Sequence, residues 1–185
     1  VTTSLNEKIV FVGGIHGVGK SHFSGSLSRQ LGIPHASAGE LISRQRKMSP
    51  RADKKVGDVS GNQDALITAI LSSDLAGSPF ILDGHFCLLD SAGKVSKIPL
   101  STFQALAPAC VLLLIESIEI VRTRLRARDQ QEHPAELLEA MQQAEIAHAK
   151  GVCSDIGVTL EILNSSDIEK AQVLVTAALS RWGQR

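Results

Sequence analysis

Apolar positions in the chain fall into short continuous runs separated by stretches with a four-residue period. Residues 8–12 read Lys-Ile-Val-Phe-Val and run into Gly13-Gly14, the pattern of a strand buried on both faces. Within 19–31, Phe23, Leu27 and Leu31 recur every fourth position and predict a helix that Gly32-Ile33-Pro34 stops. A second helix is expected over 39–47. The polar stretch 48–61, with Pro50, reads as a mobile excursion outside the core. Residues 63–75 return to helix, with Leu66, Ile67, Ile70 and Leu71 on one side. Phe80-Ile81-Leu82 is a second buried strand ending at Asp83-Gly84. A turn-rich segment, 91–97, and a short helix, 101–106, precede the clearest strand pattern, 109–115. Beyond it come a helix at 118–128, a polar connection at 129–133, and a helix at 134–149 opened by Pro134. A strand at 158–163 and an amphipathic helix at 166–182 close the chain, the latter facing Ile168, Ala171, Val175 and Leu179 inward.

Strand and helix alternate throughout, which argues for an α/β fold with an open parallel sheet and helices on both faces. The 185 residues suit one domain, 1–185, with a core that needs no staples. Lys and Arg number 19 against 19 Asp and Glu, so zero net charge gives no support to a nucleic-acid partner. Cys87, Cys110 and Cys153 lie far apart with no CxxC, the usage expected of reduced thiols in a cytoplasmic protein. The longest apolar run, 109–115, is too short to span a membrane, and Val1-Thr2-Thr3-Ser4 lacks the pattern of a secretory signal.

Gly14-Ile15-His16-Gly17-Val18-Gly19-Lys20-Ser21 matches G-x-x-x-x-G-K-[ST] at every position. The spacing has a physical purpose. Glycines let backbone N–H groups curl around a phosphate chain, and the following helix aims its positive end at the same anion. Lys20 would reach the β- and γ-phosphates of ATP, and the Ser21 hydroxyl would ligate Mg²⁺. The motif follows a predicted strand and opens a predicted helix, the context it requires. His16, Val18 and His22 join Gly14, Gly17, Gly19, Lys20 and Ser21 as candidate nucleotide-binding positions.

Asp83 ends a buried strand on the ligand-binding edge of such a sheet, where it would hold Mg²⁺ directly or through water. His85 follows on that edge and is a candidate for touching the acceptor. Arg124 and Arg128 share one helix face, with Arg122 and Arg126 on another, so one pair can face a phosphate chain. Arg44, beside the polar excursion, is a candidate acceptor ligand, as is Gly39. His22, His35, His133 and His148 form no zinc-spaced cluster.

The phosphate loop 14–21, the segment Ala38-Gly39-Glu40-Leu41, the strand end Leu82-Asp83-Gly84-His85 and the arginine helix occur in that order. This resembles the nucleoside monophosphate kinases, and most closely the archaeal-type adenylate kinases. The resemblance implies a five-stranded parallel sheet, an acceptor arm about 38–75 and a short lid about 124–136. It implies transfer of the γ-phosphoryl of Mg·ATP to a nucleoside monophosphate. Lys20, Ser21 and Asp83 would take the ATP·Mg roles, and Arg124 and Arg128 would close on the phosphates. Two departures stand out. Ala38-Gly39-Glu40 replaces the Thr-Gly-Asp usual in the arm, with Arg44 displaced by one position, and no arginine lies between Asp129 and Arg181. Two other readings therefore stay open. One is a P-loop kinase of a small-metabolite hydroxyl or a polynucleotide 5′-hydroxyl. The other is an ATP-binding regulator or slow ATPase acting through a protein partner.

Overall fold

A computed structural model describes residues 8–48 and 59–180. Its centre is a five-stranded, all-parallel sheet built from β1 (Ile9–Gly13), β2 (His35–Ser37), β3 (Phe80–Asp83), β6 (Cys110–Ile115) and β7 (Leu160–Asn164), in the order β2-β3-β1-β6-β7. β1 and β3 are buried at every position, and β6 at all but its last. This is why their sequences are continuous apolar runs rather than alternating ones.

Successive side chains of each strand point to opposite faces and feed two cores. Val10, Val12, Ile81, Leu112 and Leu114 pack with Phe23 and Leu27 of α1 (Lys20–Leu31), Val121 and Leu125 of α5 (Ile118–Asp129), and Val175 of α7 (Ile168–Ser180). Ile9, Phe11, Leu82 and Leu113 pack on the other face. Their partners are Leu66 and Ile70 of α3 (Val59–Leu71), Phe103 and Leu106 of α4 (Leu100–Leu106), and Val152 of α6 (Ala135–Ile156). α2 (Ala38–Met48) packs beside α3. The expected α/β fold with helices on both faces and five parallel strands is the fold observed.

Several elements differ from expectation. β2 was not expected: three half-buried residues, His-Ala-Ser, carry no apolar pattern, and the strand is specified by pairing with β3. The turn-rich 91–97 contains part of a hairpin, β4 (Cys87–Leu89) with β5 (Val95–Lys97), turned by Asp90, whose Oδ1 accepts from the N–H groups of Ala92 and Lys94 at 2.8 and 2.9 Å. α3 ends at Leu71, short of the predicted 75, because Ser72 and Ser73 donate hydroxyl bonds to the carbonyls of Thr68 and Ile70, both at 2.8 Å. α6 runs on to Ile156 because Ala149, Val152 and Cys153 continue its apolar stripe.

The excursion expected at 48–61 lies largely, and the last two residues of the helix expected at 166–182 wholly, outside the described residues. Among the described residues no helix is long and apolar enough to cross a membrane. Cys87, Cys110 and Cys153 are buried free thiols, and burial pushes each upward, to about 11, 12 and 11.

Candidate active site

β1, β2 and β3 end together at one edge of the sheet, with Val12 and Ser37 both paired in register with Asp83. The chain leaves β1 through the glycine loop. Gly14 sits at φ 139°, and a Cβ there would lie 2.7 Å from the Leu114 carbonyl oxygen. Gly17 sits at φ 81°, where a Cβ would lie 2.7 Å from Leu125 Cγ. Both positions demand glycine sterically and conformationally. The loop is thereby pressed against β6 and α5.

Lys20 opens α1 and folds back under the loop, donating to the carbonyls of Gly14 at 2.7 Å and Ile15 at 3.0 Å. Burial, leaving 8% of it exposed, pushes its ammonium down to about 8, while Glu145 and Asp83 oppose the shift. An arriving phosphate would restore its full charge. Arg124 donates to the Val18 carbonyl at 2.8 Å and approaches Glu116 at 3.8 Å. Arg128 forks onto Asp129 at 2.6 and 2.8 Å, which holds the guanidinium firmly charged and the carboxyl low. Arg122 and Arg126 turn the other way, to Glu132.

A cavity of about 330 Å³ lies over the loop, lined by His16, Lys20, Ser21, His22, Arg124 and Arg128 among others. Its cations, its glycine cradle and the start of α1 fit a nucleotide's phosphates. Ser21 and Asp83 both line it, the one or two protein oxygens that a phosphate-bound Mg²⁺ needs. Among the described residues no group of three or more His, Cys, Asp or Glu forms a metal cage of its own.

A second cavity, about 290 Å³, adjoins the first. His16, Ser37, Asp83 and His85 line both. Beyond this shared wall it is largely apolar, walled by Phe11, Ile42, Leu66, Leu88, Phe103 and Leu106. Phe86 and Phe103 stack at 4.5 Å, and Phe11 meets both edge-on at 5.3 and 5.5 Å. Gly39 lines this cavity. Arg44 does not: it stands 74% exposed, 3.6 Å from Glu40. The cavity-facing side of α2 carries Ala38, Gly39 and Ile42, and Arg44 lies two residues, about 200°, from Ile42.

Two side chains that line neither cavity, His35 and Glu145, support the shared wall, and the sequence reading singles out neither. His35 Nε2 lies 2.7 Å from Asp83 Oδ2, fixing that carboxylate between the two cavities. Glu145, on α6 and 1% exposed, accepts through Oε2 from the N–H groups of Phe86 at 2.6 Å and Cys87 at 3.1 Å. Its Oε1 and His85 Nδ1 have no other partner and face each other at 3.4 Å. One proton between them satisfies both atoms. Burial pushes Glu145 up to about 7 and His85 down to about 3. Burial, with repulsion from His85 and Lys20, lowers His16 to about 4, and the His16 and His85 rings lie 4.2 Å apart. Glu145 had a sequence signal: a lone carboxylate in the apolar stripe Leu138, Met141, Ala149, Val152. His35 had none, since β2 itself lacked a pattern.

The same fold occurs in known proteins. A gluconokinase from Sinorhizobium meliloti 1021 superimposes with TM-score 0.54 at 18% identity, over 98% of this chain and 95% of the other. A shikimate kinase from Acinetobacter baumannii in complex with shikimate gives TM-score 0.61 at 15% identity, over 95% of each chain. A sugar kinase from Janibacter sp. HTCC2649 gives TM-score 0.55 at 18% identity, over 94% of this chain and 95% of the other. No curated protein sequence matches the chain. The AAA domain family (AAA_17) matches residues 13–142, from the end of β1 through the phosphate loop, the Asp83 strand and the arginine helix into α6. With that match spanning most of the chain, on a P-loop kinase fold, the protein belongs to the AAA domain family.

Proposed function

We propose that the protein is a Mg·ATP-dependent kinase that phosphorylates a hydroxyl group of a small metabolite. One observation carries this reading. The phosphate cradle and a second, largely apolar cavity meet at a wall containing a hydrogen-bonded carboxylate, Asp83. A protein that only hydrolysed ATP has no use for the second cavity.

When bound, Mg·ATP supplies the transferable phosphoryl group and part of the charge that screens it. The chain's own residues do the rest. The glycine loop and Lys20 hold the phosphates. Arg124 and Arg128 face the same cavity, where arginine forks match phosphate oxygens. The acceptor oxygen bonds to the γ-phosphorus as the bond to the leaving ADP oxygen breaks, and the hydroxyl proton passes to Asp83. His35 holds Asp83 in place for that transfer. Catalysis of this kind is mainly positioning and charge stabilisation. In this reading the connection between α5 and α6 closes over the phosphates and excludes water.

The nucleoside monophosphate kinase reading is the second one. Its support is the order of motifs and the Asp83-Gly84-His85 strand end. Against it, Arg44 faces solvent and pairs with Glu40. The gluconokinase and shikimate kinase folds favour a small-metabolite acceptor. ADP release with Mg·ATP, measured alone and with panels of hydroxy metabolites and nucleoside monophosphates, separates the readings. Stimulation by a hydroxy metabolite, abolished in Lys20→Ala, is expected. Stimulation by monophosphates alone would make the second reading the right one.

A further inference from the structure

The acceptor cavity has a charge pattern that the kinase reading does not by itself require. Resting on that reading, we infer that the acceptor is a small uncharged compound bearing its hydroxyl on an apolar ring or chain, rather than a carboxylate or a phosphate ester.

Among the described residues no lysine or arginine lines the cavity. Its titratable wall groups are His16, Asp83 and His85, all at the end shared with the phosphate cradle. His85 Nδ1 is turned to Glu145 Oε1 at 3.4 Å, and the His16 ring lies against that of His85 with centroids 4.2 Å apart. Lys20 is turned to the loop carbonyls of Gly14 and Ile15, and Arg44 faces out. A carboxylate or phosphate ester in this cavity would lose its water, find no lysine or arginine among the described lining residues and approach the Asp83 carboxylate. Burying an unpaired charge is strongly unfavourable. The start of α2, at Ala38 and Gly39, offers an anion only partial charge, and Glu40 already stands in that first turn.

What the cavity does offer suits an amphipathic neutral molecule. Phe11, Leu66, Leu88 and Phe103 supply apolar walls. Gln63 accepts through Oε1 from Ser101 at 3.1 Å and Thr102 at 3.2 Å, which orients its carboxamide at the cavity. The volume, about 290 Å³, equals about ten waters, so the compound is small.

The test uses pairs of compounds differing only in charge: shikimate and its methyl ester, gluconate and its methyl ester, a nucleoside and its monophosphate. Binding is followed by protein NMR with Mg²⁺ and a non-hydrolysable ATP analogue present, and transfer is followed separately with ATP. The uncharged member of a pair is expected to bind at least tenfold more tightly, and to show at least tenfold higher kcat/KM where transfer occurs. Uncharged members that bind preferentially yet are never phosphorylated leave this inference standing and remove the kinase reading. Anionic members that bind equally or better, or failure of every uncharged member to bind, overturn it. Leu88→Lys, on the half-buried strand β4, adds a cation to the wall away from the cradle. It is expected to tighten the anionic member at least fivefold, and an unchanged ratio with an unchanged melting temperature would count against the inference.

Discussion

Glu145 carries a carboxyl group into the interior, with two backbone N–H groups on one oxygen and the His85 imidazole facing the other. Because burial raises it from 4.5 to about 7, the folded protein binds more protons than the unfolded chain between those values. Stability from this group is therefore full below pH 4.5 and is lost as pH rises through 7, a loss of up to about 3 kcal/mol. His16 and His85 act oppositely: their lowered values make stability fall as pH drops below 6.5. The variant comparison isolates the carboxyl. Glu145→Gln keeps an oxygen for Phe86 and Cys87 and cannot ionise. Relative to wild type it should gain several degrees in Tm at pH 8 and little at pH 5, measured by calorimetry. A difference that does not change with pH would remove this account of Glu145. His35 acts on Asp83 from outside the strand that carries it. A hydrogen bond to a charged group contributes about 1.5–3 kcal/mol, so His35→Ala should lower kcat about ten- to a hundredfold. The KM for ATP should stay within about threefold, since His35 lines neither cavity. Steady-state kinetics on the two substrates makes that distinction.

Elements come together at the acceptor cavity through three phenylalanines: Phe11 from β1, Phe86 from the segment after β3, and Phe103 from α4. Phe103 is fully buried and both supports the core and walls the cavity. Phe103→Ala should cost about 3–5 kcal/mol, read as a lower urea midpoint with little change in slope. The same elements show what a sequence can disclose. β1, β3 and β6 were legible because strands buried on both faces must be apolar throughout. The glycine loop was legible because its backbone conformation and tight contacts exclude other residues. β2 and the β4–β5 hairpin were not, since their short, half-polar segments take their conformation from neighbours rather than from their own pattern. His35 was hidden for that reason, whereas Asp83, on a legible strand, was not. Arg44 was assigned by proximity in sequence, and its direction depended on the rotation of α2, which composition does not reveal.

At the scale of the whole molecule, one sheet edge brings together a phosphate cradle and a largely apolar cavity, with Asp83 between them. That juxtaposition is the reason to expect group transfer rather than simple hydrolysis. Its direct test is the stoichiometry of products. Wild-type protein, Mg·ATP and a hydroxy acceptor should be taken to completion, and ADP and phosphorylated acceptor quantified by mass spectrometry, with Asp83→Asn alongside. The account predicts one phosphorylated acceptor per ADP in the wild type and transfer reduced at least a hundredfold in the variant. ADP that accumulates at one slow rate whatever acceptor is present, with free phosphate as the only other product, would contradict it.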